Sequence, residues 1–198
     1  ASAVRIGAVV TALLRRHDAL RLRLSRPAPM LWALETVREL PPLDDVLTVV
    51  DARGLDEDAF AELLGTASDA AAERLAPDEG RMVAAVFLDR GADPGRLLLV
   101  VHHLAVDGVS WRILLEDVRA AWDAVADGRE PVLEPVATSV RTYARLLNEA
   151  SAQDARLAEF THWSEVLAPG AELDPAKVVL GATVGDTREH RFRLPAAQ

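Results

Sequence analysis

Hydrophobic residues recur every three or four positions along several stretches of the chain, which is the spacing of one face of an α-helix. The clearest helix begins near Ser110, where the spacing is kept by Trp111, Leu114, Leu115, Val118, Trp122 and Val125. Further helices are predicted over Val4–His17, Asp56–Leu75, Thr138–Glu149 and Ala155–Leu167. Each of these helices would bury one apolar face against the rest of the protein.

Shorter stretches alternate apolar and polar residues or run continuously apolar, as β-strands do. These stretches are Asp18–Leu24, which Pro27 and Pro29 would end, Asp44–Gly54, Arg81–Leu88, Arg96–Leu104 and a final extended stretch, Glu189–Leu194. The turn Asp89–Gly95 separates two of them and suggests a hairpin. Because strands and helices mix without strict alternation, the pattern predicts an α+β or mixed α/β layer architecture.

The composition excludes several classes of function. The 198 residues suffice for one domain or two small ones. A net charge of −9 argues against nucleic acid or an anionic membrane as a partner. The absence of cysteine excludes disulfides, thiolate metal sites and a cysteine nucleophile. Since no apolar run is long enough to span a membrane and no signal peptide is recognisable, we expect a cytoplasmic protein.

The stretch LLLVVHHLAVDGVSWRILLEDV, residues 97–118, carries the candidate chemistry. It is predicted to be a strand, a loop and a helix. Neighbouring strand residues point to opposite faces, so His102 and His103 cannot both face one cavity if the strand stays regular. Asp107 or Ser110 could cap the helix, and Gly108 would supply backbone freedom at the turn.

Four interpretations of the two histidines remain open on physical grounds alone. They could be satisfied residues of a buried strand, or one of them could be a general base at a cleft, since histidine titrates near neutral pH. A Ser-His-Asp triad with Ser110 as nucleophile lacks the G-x-S-x-G turn. A metal site is disfavoured because adjacent strand histidines diverge. The remaining histidines are scattered along the chain: His17, His162 and His190.

Two motifs resemble a known family. HHLAVDG, residues 102–108, fits the His-His-x-x-x-Asp-Gly signature of the condensation-domain superfamily of nonribosomal peptide synthetases. RRHDALRLRL, residues 15–24, is similar to that family's Arg-His-x-x-Leu-Arg segment. The resemblance implies a chloramphenicol acetyltransferase-like lobe, with a mixed sheet packed by helices in two layers.

Within this superfamily the chain is most similar to epimerization domains. Gly108 is followed by VSWRILLEDV, whereas amide-forming members more often carry Trp-Ser after this glycine. PVATSVRTYARLL, residues 135–147, and HWSEVL, residues 162–167, also look like the epimerization pattern. An amide-forming condensation domain of the same fold and a non-catalytic lobe that docks a carrier protein are the alternatives.

The resemblance assigns roles to the motif residues. His103 would be the acid/base or positioning group at the cleft, and His102 would point inward as a structural residue. Asp107 would support the loop through an ion pair, for which we expect Arg21 as the partner. Gly108 would let the backbone turn near the thioester.

Two further residues are candidates for substrate binding. Ser110 and Trp111 follow the motif directly, although Trp111 also fits a core position of the predicted helix. Four further arginines are interpreted as surface charges, and the alternative is that some of them bind the phosphopantetheine phosphate or an acidic carrier protein: Arg15, Arg16, Arg141 and Arg145.

The resemblance also implies partners. The substrate would be an aminoacyl or peptidyl thioester on the phosphopantetheine arm of a peptidyl carrier protein, so the domain would need no cofactor of its own. Residues 1–198 would form an N-terminal lobe without its opening strand. Its partners would be the missing C-terminal lobe and adjoining synthetase domains. The second acid/base, a glutamate, is expected in that C-terminal lobe.

Overall fold

A computed structural model describes residues 2–168. The chain divides into two compact units, Ala1–Leu146 and Leu147–Gln198, and each is described by itself. The helices are α1 (Ala3–Arg16), α2 (Leu43–Val46), α3 (Glu57–Glu73), α4 (Ser110–Ala126), α5 (Val140–Ser151) and α6 (Asp154–Val166). The strands are β1 (Leu22–Ala28), β2 (Leu31–Thr36), β3 (Leu47–Asp51), β4 (Val83–Asp89) and β5 (Arg96–Val101).

The first unit is built around a mixed three-stranded sheet of order β3-β4-β5. β3 pairs with β4 in parallel, and β4 pairs with β5 as an antiparallel hairpin, as predicted for the strands on either side of residues 89–95. Strands β1 and β2 form a separate antiparallel ribbon. Gly95 lets the hairpin close, because a Cβ there would lie 2.8 Å from the carbonyl oxygen of Leu88.

The central strand β4 is buried on both faces, which explains its unbroken run of apolar residues. On one face Val83, Ala85 and Phe87 pack with apolar residues of α1 and α4. On the other face Ala84, Val86 and Leu88 pack with apolar residues of α3. The mixed α/β class and the mixed sheet packed by helices are therefore confirmed. The expected arrangement had two layers, one of strands and one of helices. In the structure helices pack on both faces of the three-stranded sheet, which gives three layers.

Several predicted boundaries differ from the structure. The stretch 18–24 begins as a 3₁₀ turn, Asp18–Arg21, and β1 continues past Pro27 to Ala28. Pro27 is accommodated because the ribbon register shifts between Ser25 and Ala28, where an N–H donor is not needed. The stretch 44–54 begins with the helical turn α2. The predicted stretch Glu189–Leu194 lies outside the described residues.

In the second unit the described residues comprise the end of α5 and the helix α6. Helix α6 follows Gln153 as its N-cap residue and has Asp154 in its first turn. Its large apolar side chains are exposed: Leu157, Phe160, Trp163 and Val166. Over residues 2–168, none of the helices is both long and apolar enough to cross a membrane.

Candidate functional site

The loop between β5 and α4, residues 102–109, carries the two histidines and is called the histidine loop below. The His102 N–H donates to the Met82 carbonyl at 2.8 Å, which extends the β4–β5 ladder by one residue beyond Val101. The His102 carbonyl accepts from the Ala105 N–H at 2.9 Å, closing a turn. Nδ1 of His102 accepts from the Leu104 N–H at 3.1 Å, so a neutral ring carries its proton on Nε2.

His103 is exposed at the outer part of this turn, whereas His102 is half-buried. Within residues 2–168, no hydrogen bond or ion pair is made by the His103 side chain. Strand β5 ends at Val101, so neither histidine belongs to the strand. The two imidazoles are therefore separated by the turn at His102–Ala105 and not by the alternation of side chains along a strand. The arrangement leaves His103 accessible to a group from outside the described chain.

Asp107 organises the end of the histidine loop. Its Oδ1 accepts from the N–H groups of Val109 and Ser110 at 3.0 and 2.8 Å and from the Ser110 hydroxyl at 2.7 Å. The Asp107 N–H donates back to Ser110 Oγ at 3.1 Å. The Ser110 hydroxyl is the main cause of the lowered pKa of Asp107, and the backbone N–H groups add to it. Asp107 therefore caps the start of α4.

The predicted ion pair between Arg21 and Asp107 is not formed among the described residues. Arg21 Nε donates to the Leu14 carbonyl at 2.8 Å, and Arg21 Nη1 donates to the carbonyls of Val37 and Arg38. Arg21 thus ties the end of α1 to the chain after β2. Asp107 satisfies its carboxylate within its own loop, so neither residue needs the other.

Gly108 does not need the conformational freedom expected of it. Its φ lies outside the left-handed region, and a Cβ built at this position would meet no atom within 4 Å. Neither the backbone nor packing within the described residues therefore requires glycine here. The space around Gly108 is open among the described residues.

The two predicted substrate-binding residues occupy different environments. Ser110 lines a cavity of about 350 Å³ together with Ala105 and Val106 of the histidine loop. Trp111 is half-buried and packs against the apolar core shared by α1 and β4. The rest of the cavity wall comes mainly from the ends of α1 and α4 and from residues 135–137.

A buried polar cluster borders the same cavity and was not predicted from the sequence. Asp117 of α4 is only 7% exposed. Its Oδ2 lies 2.6 Å from His17 Nε2 and 3.1 Å from Arg16 Nε, although the Arg16 contact lacks hydrogen-bond geometry. Arg16 is thus not the surface charge we expected. The three residues are called the Asp117 cluster.

A signal for this cluster is present in the sequence. Asp117 lies three residues after Leu114 and four before Ala121, both buried, and so occupies the core-facing stripe of α4. A carboxylate at such a position requires a partner. His17 and Arg16, at the end of an amphipathic helix, are the partners that the fold supplies.

The described part of the chain holds no group of three or more side chains suited to a metal ion.

Comparisons with known proteins give relatives of this chain. The family model described as a condensation domain matches residues 3–192. One of the subunits of linear gramicidin synthase from Brevibacillus parabrevis is 39% identical over 163 residues, which make up 79% of this chain and 2% of that protein. The chain therefore spans a small part of this curated relative.

Solved structures share the fold. The epimerization domain from the third module of tyrocidine synthetase B superposes with a TM-score of 0.74 at 23% identity, covering 87% of this chain and 38% of that chain. A structure of condensation domain-mediated chain release from the enacyloxin polyketide synthase gives a TM-score of 0.64 at 23% identity, covering 83% and 30%. At this level of identity both show the fold alone.

Proposed function

The chain belongs to the condensation-domain family of nonribosomal peptide synthetases, and we propose that it is the N-terminal lobe of an epimerization domain. The proposed substrate is an aminoacyl or peptidyl thioester on the phosphopantetheine arm of a carrier protein. The proposed reaction converts the L form of the substrate into a mixture of L and D forms.

The position of His103 is the observation that carries a catalytic role. An acid/base group must reach the substrate within hydrogen-bond distance, and His103 is exposed on a turn that is anchored to the chain before β4 by the hydrogen bond from His102 to Met82. His102 is the support of this turn, since its N–H, its carbonyl and its ring nitrogen all bind backbone groups.

The proposed chemistry is a proton exchange at one carbon. A base removes the α-proton, and the electron pair left on the α-carbon is delocalised onto the thioester carbonyl. A proton returned to the opposite face restores the C–H bond with inverted configuration. His103 would act on one face of the α-carbon, and the resemblance to epimerization domains implies that a glutamate of the C-terminal lobe is the acid/base on the other face.

The choice of epimerization over amide formation rests on sequence, because the family fold is common to both. Gly108 is followed by Val109 and then by Ser110-Trp111, which resembles the pattern of the epimerization subgroup. The open space at Gly108 suits the close approach of a thioester to His103 in either reaction. We therefore expect Gly108→Val to fold as the unaltered protein does and to lose activity.

The test uses the full synthetase module that contains this chain, with its adjacent carrier loaded with an L-aminoacyl group. In heavy water we expect deuterium to enter at the α-carbon and the D form to accumulate. His103→Ala should slow this exchange by about 10²–10⁴-fold. His162→Ala, which removes an exposed histidine of α6, is the matched control and should leave the rate unchanged.

Two outcomes would replace the proposal. Absence of exchange combined with amide formation, once a second loaded carrier is added, would assign the chain to an amide-forming condensation domain. Absence of both activities in a folded module that still binds its carrier would leave a docking lobe.

A further inference from the structure

The Asp117 cluster is the polar contact in an otherwise apolar interface. Helices α1 and α4 pack through Val9 and Ala12 on one side and Ala121 and Val125 on the other. Apolar contacts of this kind tolerate small shifts of one helix along another. A buried carboxylate held by a hydrogen bond to His17 and an ion pair with Arg16 tolerates them less, because a shift would leave its charge unpaired.

The cluster also lies across one cavity from the histidine loop. Arg16 and His17 line the cavity of about 350 Å³ on one side, and Ala105, Val106 and Ser110 line it on another. Ser110 begins α4 and is bonded to Asp107, and Asp117 lies two turns further along that helix. The position of α4 against α1 is thus coupled through Ser110 and Asp107 to the loop that carries His103.

We propose that Arg16, His17 and Asp117 are positioning residues that set the register of α4 on α1 and thereby the position of His103. This proposal rests on the proposed function of His103. None of the three residues needs to touch the substrate. Their effect reaches the reaction through the short hydrogen-bonded path from α4 to the histidine loop.

The test compares His17→Leu with His17→Gln in the full synthetase module. Leucine fills similar space but donates nothing to Asp117, whereas the glutamine amide can still donate a hydrogen bond. In the heavy-water assay, at a temperature where all variants are folded, we expect His17→Leu to lower kcat by about tenfold to a hundredfold. KM for the loaded carrier should stay unchanged, and His17→Gln should recover most of kcat.

Variants of two carboxylates on α4 show whether the effect is specific to the Asp117 cluster. Asp123→Asn changes a carboxylate of the same helix whose side chain is 64% exposed, and it should leave kcat unchanged. If His17→Leu does not fold, Asp117→Asn addresses the same point, since it keeps the shape of the side chain and removes its charge. We expect Asp117→Asn to lower kcat, and the same kcat as Asp123→Asn would overturn the proposal.

A second readout distinguishes failure of this proposal from failure of the proposed function. The imidazole resonances of His103, assigned by their loss in His103→Ala, report the loop without any reaction. If the module does not exchange the α-proton but His17→Leu shifts these resonances and His17→Gln restores them, positioning stands and the proposed function fails. If the module exchanges normally, and His17→Leu alters neither kcat nor the resonances, positioning is overturned.

Discussion

Two carboxylates, Asp107 just before α4 and Asp117 within it, have opposite environments. Asp107 is exposed, and its hydrogen bonds go to Val109 and Ser110 within the same turn. Asp117 is 7% exposed, and its partner His17 is 100 residues away in sequence. The resemblance led us to expect an ion pair at Asp107, whereas the structure forms one at Asp117, with Arg16.

The comparison shows that the same side chain stabilises different things in the two places. At Asp107 the carboxylate is exposed and holds one turn of the chain, so its effect is local. At Asp117 the carboxylate has been removed from water, and its removal would leave Arg16 and His17 without their partner. The predictions below test this contrast.

The largest effect is expected at the buried carboxylate. Asp117→Ala should lower the free energy of unfolding by about 3 kcal/mol, since it breaks a buried ion pair and leaves the other partner desolvated. Urea denaturation of the chain measures this. Asp123→Ala is the control on the same helix and should change the stability little, because its side chain is 64% exposed. Equal effects of the two substitutions would refute the distinction.

A smaller and more local effect is expected at the exposed carboxylate. Asp107→Ala removes the acceptor of the Val109 and Ser110 N–H groups. We expect these amides to exchange with solvent faster while amides in β4 keep their protection, because only the first turn of α4 loses its cap. Hydrogen exchange resolved by residue measures this. Faster exchange throughout the sheet would mean that Asp107 supports the whole fold.

The contribution of the Asp107 cap should disappear in acid. Its folded-state pKa is lowered from the model-peptide value of 3.8, so the stabilisation is fully present above about pH 3.8. It is lost as the pH falls from that value through the lower folded-state pKa. The difference in Val109 and Ser110 amide exchange between the unaltered protein and Asp107→Ala should therefore vanish over that range. A difference that persists below it would contradict a charge-dependent cap.

The smallest effect is expected at the serine. Ser110→Ala removes the hydroxyl that contributes most to the lowered pKa of Asp107 and leaves the two backbone donors in place. The pKa of Asp107 should rise toward 3.8 without reaching it. A carboxylate titration by NMR measures this shift. An unchanged pKa would show that the backbone groups alone lower it.

The two histidines show how far the sequence alone could lead. The spacing predicted a loop between a strand and α4, and the structure has it. Alternation along a strand predicted that the two imidazoles would diverge, and they differ in burial, but the cause is the turn closed by Ala105 and His102. A strand that ends one residue before His102 cannot be distinguished by pattern from one that includes it.

Features that depend on neighbours within a few positions could be predicted from the amino-acid sequence. These include the five longer helices, the β4–β5 hairpin and the cap formed by Asp107 and Ser110, which are three residues apart. Their hydrogen bonds are set by spacing along the chain, so the spacing is sufficient evidence for them.

Contacts between distant segments could not be predicted in this way and depend on how the chain packs. The parallel pairing of β3 with β4, the helices on both faces of the sheet and the carbonyl partners of Arg21 belong to this class. So does the bond between His17 and Asp117. Each of these segments or side chains could have had several partners elsewhere in the chain. The packing of the helices on the sheet selects one partner, because it brings that partner within reach and excludes water from the contact.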